Sequence, residues 1–270
     1  MNTENCINQK YLSSLSRIFT PLVIDPLILH GHSNYLNEVF SNSGLKDTLD
    51  SSLPLHSFFD YVYSLLNKYY RNEYIYKNVI ANKILLGRHS LGTSKMLTEF
   101  RVGQNKADVV IFNGSSSVYE IKSQYDSFSR LKDQLNSYFQ VFDYVYVMTT
   151  SSQAGKVKTL VPKKTGILVL TTKNTVSTIQ KAKSNKESIK PLILFDSLRK
   201  NEYIKIIKTY YGYIPDVPNT LIHRVCKKMY SEMPLEIVHE LTIKTLKQRD
   251  NSKYINHFIN KVPESLKAYA

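Results

Sequence analysis

Ala107-Asp108-Val109-Val110-Ile111-Phe112-Asn113-Gly114-Ser115-Ser116-Ser117-Val118-Tyr119-Glu120-Ile121-Lys122 is the stretch that decides the fold. Ala107 to Phe112 is rich in β-branched residues, and Ser117 to Lys122 reads as the strand that follows. Asn113-Gly114 between them is a strong hairpin signal, because both residues tolerate the positive φ of a tight turn. Upstream, Leu97 to Gly103 alternates apolar and polar side chains and predicts an earlier strand. Downstream, Phe128, Leu131, Leu135, Tyr138 and Phe139 form one helical stripe. Asp143 to Thr149 and Gly166 to Thr171 return to strand character. The order strand, hairpin, helix, strand predicts an α/β fold, a mixed sheet with helices packed on it.

The flanks read as helical. Phe58, Phe59, Val62, Leu65, Leu66 and Tyr69 recur at three- and four-residue steps. Tyr74, Val79, Ile80 and Ile84 predict a second helix that closes near Gly87. From Pro191 onward the apolar stripes are again helical, punctuated by Pro215, Pro218, Pro234 and Pro263. The expected organisation is a helical segment over residues 1–72, a core over 73–175, and a basic, mainly helical segment over 176–270. The first 55 residues carry no interpretable motif.

The chain has 270 residues, 42% hydrophobic and 21% charged, which excludes a disordered protein. Thirty-six Lys and Arg against 22 Asp and Glu leave a formal charge of +14, which points to a polyanionic partner. Residues 151–190 alone hold nine lysines and one acid, Glu187. Two cysteines, Cys6 and Cys226, make neither a zinc site nor a disulfide framework, and they suit a reducing compartment. Met1 to Lys10 is polar, and no apolar run approaches ~20 residues, so the expectation is a soluble, cytoplasmic protein without a membrane partner.

Asp108, Glu120 and Lys122 are the residues that suggest chemistry. Glu120 and Lys122 lie two apart on one strand, so their side chains leave on one face. The hairpin brings Asp108 across from Glu120. Two converging carboxylates repel unless a cation joins them. A hard divalent cation, Mg2+ or Mn2+, suits such oxygens and tolerates a phosphate in its shell. Lys122 would then position and activate water and offset charge on the phosphorus. An isolated Glu-x-Lys is ordinarily a surface ion pair, here Glu120 with Lys122 or Lys106 on the wet face of a hairpin.

The order Asp108, Glu120-Ile121-Lys122 and then a helix resembles the PD-(D/E)xK nuclease superfamily. Gln134-Leu135-Asn136-Ser137-Tyr138 is similar to the Gln-x-x-x-Tyr motif of its RecB-like branch. A wider likeness covers Tyr76-Lys77-Asn78, Leu85 to Ser90, Glu99 to Gly103, Tyr119 to Ser123, Phe195 to Lys200 and Pro215 to Asn219. Those segments resemble a bacterial family of unknown function, sce-seventy-seven-twenty-six, assigned to the same superfamily. The resemblance implies a restriction-endonuclease-like core and Mg2+-dependent phosphodiester hydrolysis, with DNA as the expected partner. It implies metal binding by Asp108 and Glu120, a catalytic role for Lys122, and a supporting role for Gln134 and Tyr138. The superfamily's additional upstream acid is either Glu99, by sequence proximity, or Glu73, by its place on a helix. Glu99 could instead pair with Arg101 or Arg88. Ala107 stands where the pattern has proline.

Around this set, Arg88, Arg130, Lys156, Lys158, Lys163 and Lys164 are candidates for contacts with the phosphate backbone. The lysines are equally readable as a solvated face, and for Arg88 and Arg130 a solvated surface residue is the plainer reading. Asp126 or Ser127 is positioned to cap the motif helix. The 20 tyrosines offer stacking surfaces for unpaired bases. His223 and His239 have no second ligand at zinc spacing. A binding module that keeps the fold without turnover is the alternative reading, and a homodimer or an accessory protein is compatible with either. A role in phage defence or mobile-element biology is an association that no residue carries.

Overall fold

A computed structural model describes residues 9–88 and 93–249. The described chain divides into two compact units, residues up to Ile75 and residues Tyr76–Arg249.

The first unit is helical: α1 (Leu12–Ser16), α2 (Pro21–His30), α3 (Asn34–Asn42), α4 (Leu55–Tyr69) and the first residues of α5 (Glu73–Val79). Leu15, Ile18, Leu27, Leu36, Phe40, Phe58, Val62 and Leu66 form its buried interior. Phe40 and Phe58 meet edge to face with centroids 5.6 Å apart. Ser33 caps α3 by accepting the Leu36 N–H, and Gly31 ends α2 at φ 75°. No single helix among the described residues is long and apolar enough to cross a membrane. The bent pair Leu12–Phe19 and Pro21–His30 meets the criterion by length and composition only.

The second unit holds the sheet. After α5 the chain widens into a π turn, Ile80–Leu85, and a short helix α6, Leu86–Arg88. Six strands follow, β1 (Lys95–Val102), β2 (Asn105–Phe112), β3 (Ser116–Lys122), β4 (Tyr144–Thr150), β5 (Gly166–Leu170) and β6 (Val176–Gln180), in spatial order 1 to 6. The first three pair antiparallel, β3–β4–β5 are parallel, and β6 is antiparallel again. The fold is thus mixed α/β, as the sequence predicts. β6 is an additional strand, short, polar and half exposed, with no alternation that would announce it.

Helix α7 (Leu131–Tyr138) connects β3 to β4, and α8 (Ala154–Leu160) connects β4 to β5. Such crossovers are what parallel pairing requires. The predicted Asn113-Gly114 turn is a three-residue loop, with Phe112 paired to Ser116 and Gly114 at φ 103°. A second hairpin turns at Gly103-Gln104, where Gly103 takes φ 57°. Helices α9 (Pro191–Asp196), α10 (Lys200–Tyr211), α11 (Asn219–Ser231) and α12 (Leu235–Lys247) complete the unit. Phe195, Ile206, Ile207, Tyr230, Val238 and Leu246 join Phe100, Phe112, Val118 and Val145 in one apolar core.

A buried ion pair within this helical layer, and a buried histidine–carboxylate contact from it to the sheet, fix its position. Arg249 donates to both carboxylate oxygens of Glu202, each at 2.6 Å, while its guanidinium lies 5.0 Å from the Phe100 ring centroid. Glu202 also accepts the Arg199 N–H at the start of α10. His239 Nε2 lies 2.7 Å from Asp143 Oδ2, which also receives the Ser116 N–H. Removing one member of a buried pair strands the other charge. Arg249→Ala is expected to lower unfolding stability by about 3 kcal/mol in chemical denaturation, and a loss indistinguishable from zero would show that the pair holds nothing.

Candidate active site

The site forms where the antiparallel ladder lapses. Pairing between β2 and β3 stops at Val109 and Tyr119. The same register would next set Asp108 against Glu120, but there the strands part. Asp108 Oδ2 instead accepts the freed Ile121 N–H at 2.7 Å, a side chain doing the work of a strand carbonyl. On its other side Asp108 faces Glu99, at the only register position where the β1–β2 pairing is interrupted. Three carboxylates therefore stand at one level of three neighbouring strands.

Glu99 has φ 57°, a left-handed conformation that costs a residue with a Cβ about 1–3 kcal/mol. It reverses the strand's alternation: Thr98 and Glu99 are both exposed, and Leu97 and Phe100 on either side both reach the core. Its carboxylate is bridged by Lys77 and, at 2.7 Å, by Lys106. Partial burial alone would push the Glu99 carboxyl up. Hydrogen bonds from Lys106 and Lys77 outweigh it and hold the group below the ordinary glutamate value. A Glu99 oxygen lies within 4.8 Å of an Asp108 oxygen. Lysines on α5 and β2 thus stand where Arg101 was predicted, and the side chain of the other predicted partner, Arg88, lies outside the described residues.

Glu120 is 1% exposed, so it is not a wet surface residue. Its Oε1 accepts from Lys122 Nζ at 2.8 Å and from Gln134 Nε2 at 2.5 Å. Its Oε2 faces the Tyr138 hydroxyl at 2.8 Å. Lys122 Nζ also donates to Gln134 Oε1 at 3.0 Å. Gln134 and Tyr138 share a face of α7 because they are four residues apart. Asn105 Nδ2, donating to Ser137 Oγ at 2.7 Å, anchors that helix to β2. All five predicted catalytic residues thus lie in one neighbourhood, four in a closed hydrogen-bonded network and Asp108 at its edge.

Desolvation pushes the Glu120 carboxyl up, and Lys122, Tyr138 and Gln134 pull it partly back. Tyr138 is raised, first by burial and then by the charges of Glu120 and Asp108, so it remains a hydroxyl donor. Lys122 uses two N–H groups on Glu120 and Gln134, leaving a third.

The remaining candidates are placed as follows. Glu73 is the first residue of α5, in the first unit. The Arg88 backbone ends α6, and His89 lies outside the described residues. Arg130 precedes α7 and is exposed, with no side-chain cap there. Asp126 caps the preceding turn instead, accepting from Ser123 N and Oγ at 2.9 and 2.6 Å, so it does not cap the helix. Lys156, Lys158 and Lys163 are exposed, and Lys156 sits 5.3 Å from the Phe128 ring centroid. Lys164 is half-buried, donates to Asn185 and packs over Phe139 at 4.2 Å, which gives it a structural role in the fold. The role of Lys77 went unread, because nothing local links it to Glu99, and Lys106, read as a partner for Glu120, bridges Glu99 instead.

These features define a mixed α/β protein with a carboxylate–lysine cluster between its sheet and a crossover helix. A family model described as Bacteriophage P4 protein cII matches residues 67–268, and the chain belongs to that family. No curated protein matches the chain. A solved structure, a protein of unknown function from Silicibacter pomeroyi, is 14% identical, with a TM-score of 0.31 over 44% of this chain and 80% of the other.

Glu120, raised by desolvation, costs stability when ionised; that cost is absent below the unfolded-state pKa and grows as pH rises through the folded one. Lys122→Met removes its counter-charge. The variant is expected to lose about 3 kcal/mol at neutral pH, with the deficit shrinking as pH falls through the raised range of Glu120, above the ordinary glutamate value. Urea unfolding across that range checks this, and a pH-independent deficit would count against the network.

Proposed function

We propose that this protein is a metal-dependent nuclease of the PD-(D/E)xK type, hydrolysing phosphodiester bonds in cytoplasmic DNA. The observation that carries the reading is the buried Glu120–Lys122 pair, fixed by Gln134 and Tyr138 and set beside Asp108 at the parting of two strands. A lone structural ion pair needs neither the neighbouring acids nor the break in the ladder. The formal charge of +14 supplies attraction for a polyanion.

The donor set fits Mg2+ or Mn2+. Glu99 and Asp108 present hard carboxylate oxygens within 4.8 Å of one another, close to the ~4.2 Å between opposite ligands of one Mg2+. Glu120 keeps spare lone-pair capacity after three hydrogen bonds. Asp108, Glu99 and Glu120 would hold the ion, which supplies Lewis-acid stabilisation of charge at the phosphate when bound. Lys122 directs its third N–H to the attacking water or to a phosphate oxygen, and Gln134 and Tyr138 prevent its rotation away. To hold the ion, Glu99 would have to turn from its lysine bridges with Lys77 and Lys106. Membership in a phage protein family agrees with a role in phage defence or mobile-element biology.

The near-complete enclosure of Glu120 favours a second reading, a binding module in which the network is purely structural. Incubating linear, circular and single-stranded DNA, and RNA, with Mg2+ or Mn2+ separates the two. The nuclease cuts, EDTA stops it, and Asp108→Ala and Lys122→Ala each reduce the rate by at least about 100-fold. A wild type that binds DNA without cutting, and without taking up Mn2+, would leave the binding module.

A further inference from the structure

The geometry points to a second binding site, apart from the carboxylate–lysine cluster, for a small phosphomonoester whose body carries hydroxyl or amino groups. A sugar phosphate and a mononucleotide share that chemistry. The site does not depend on the nuclease reading.

A cavity of about 590 Å3 opens along one face of α12, with Gly114 of the β2–β3 turn and Lys186 of the segment after β6 in its walls. That volume lies within the roughly 300–1,000 Å3 of small-molecule sites. Asp108 stands six residues before Gly114 in the same hairpin. At ~3.3 Å per residue, the cavity is about 20 Å from the cluster.

Helical spacing builds the face. Glu236, Glu240, Ile243 and Lys247 recur at three- and four-residue steps along α12, with His239 and Lys244 beside them. The acids stand toward the amino end of the helix and the lysines toward its carboxyl end, where each sign suits the helix dipole. The dipole does not account for their lack of partners. Glu240 and Lys244 are four residues apart, yet among the described residues neither they nor Glu236, Lys186 and Lys247 form an ion pair.

The floor holds a polar pair that is incompletely satisfied. His239 lines the cavity and is 4% exposed. Its Nε2 lies 2.7 Å from Asp143 Oδ2 but off the line of a hydrogen bond, and Asp143 Oδ1 has no partner among the described residues. Buried polar groups short of partners call for a further donor or acceptor.

Three lysines from two elements exceed what one carboxylate needs and suit the nearly two negative charges of a phosphomonoester. As carboxylates, Glu236 and Glu240 only accept hydrogen bonds, so they favour hydroxyl or amino donors on the rest of the ligand and repel a second anionic group. Ile243, between them and Lys247 along the helix, supplies an apolar contact.

Isothermal titration calorimetry in EDTA tests the site with ribose 5-phosphate, AMP, adenosine and inorganic phosphate. Phosphomonoester binding is expected, with none for adenosine and weaker binding for inorganic phosphate, which does not reach the glutamates. Lys244→Gln and Lys247→Gln should each weaken the phosphomonoester about tenfold. Lys228→Gln, exposed on α11 outside the cavity, should not, which separates the site from net charge. Glu240→Gln should weaken the phosphomonoester and leave inorganic phosphate as strong or stronger. Binding of AMP alone makes the ligand a nucleotide, whereas binding of ribose 5-phosphate makes a sugar phosphate sufficient. An affinity unchanged by Glu240→Gln would overturn the hydroxyl- or amino-bearing body. No binding of either ester, binding kept when both lysines are replaced, or binding lost in Asp108→Asn would overturn the site, the last because it puts the ligand in the cluster. A wild type that binds these esters but cuts no nucleic acid would refute the nuclease and leave this site standing.

Discussion

Glu120 is a carboxylate with almost no access to water, and such a charge persists in a protein only when its surroundings supply protons and cations. The nearest cation is two residues along the same strand. The nearest neutral donors come from α7, one turn apart on one helix face. Satisfying Glu120 therefore fixes more than a side chain: it sets the rotation of α7 about its axis and its height over β3. That helix buries Leu131, Leu135 and Tyr138 in the core that α9 to α12 complete. A polar network of this kind stabilises the fold only while complete, which makes the centre of the unit its most specified part.

The same level of the sheet is where regular pairing fails. Asp108 is flanked by lapses in both of its ladders, and Glu99 takes a left-handed conformation beside it. Antiparallel pairing alone would not place such a residue there. Its effect is to turn the alternation of β1, so that hydrophobic residues on both sides reach one core while the carboxylate remains accessible. Lys77 and Lys106 bridge the exposed end of the row, Lys122 the buried end. The charges are balanced from both sides and the acids stay close together.

The strands β1 to β5 were legible because each is a β-branched or alternating run bounded by turn residues. Asn113-Gly114 announced the hairpin, and that hairpin by itself brought Asp108 level with Glu120. β6 was not legible: Val176–Gln180 is five largely polar residues whose strand character comes from the β5 edge they pair with. The motif helix starts at Leu131, later than its apolar stripe suggests, because Asp126 is used in the turn after β3. His239 looked isolated in the sequence because its partner, Asp143, is contributed by a different layer. Arg249 and Glu202, 47 residues apart, carry no local signal either.

Local chemistry in the sequence by itself determined the mixed α/β class, the hairpin, the two-residue spacing of Glu120 and Lys122 and the four-residue spacing of Gln134 and Tyr138. Each depends on backbone period or turn propensity, which neighbouring residues set. The tertiary structure alone decided that Glu120 and Lys122 are buried rather than wet, that lysines on α5 and β2 bridge Glu99, and that Asp108 closes a broken ladder. It also decided which of the 20 tyrosines are buried, Tyr76, Tyr138 and Tyr230 among them, and which face solvent, as Tyr125 and Tyr213 do. Burial and long-range charge pairing are properties of packed layers, and no window of sequence contains them.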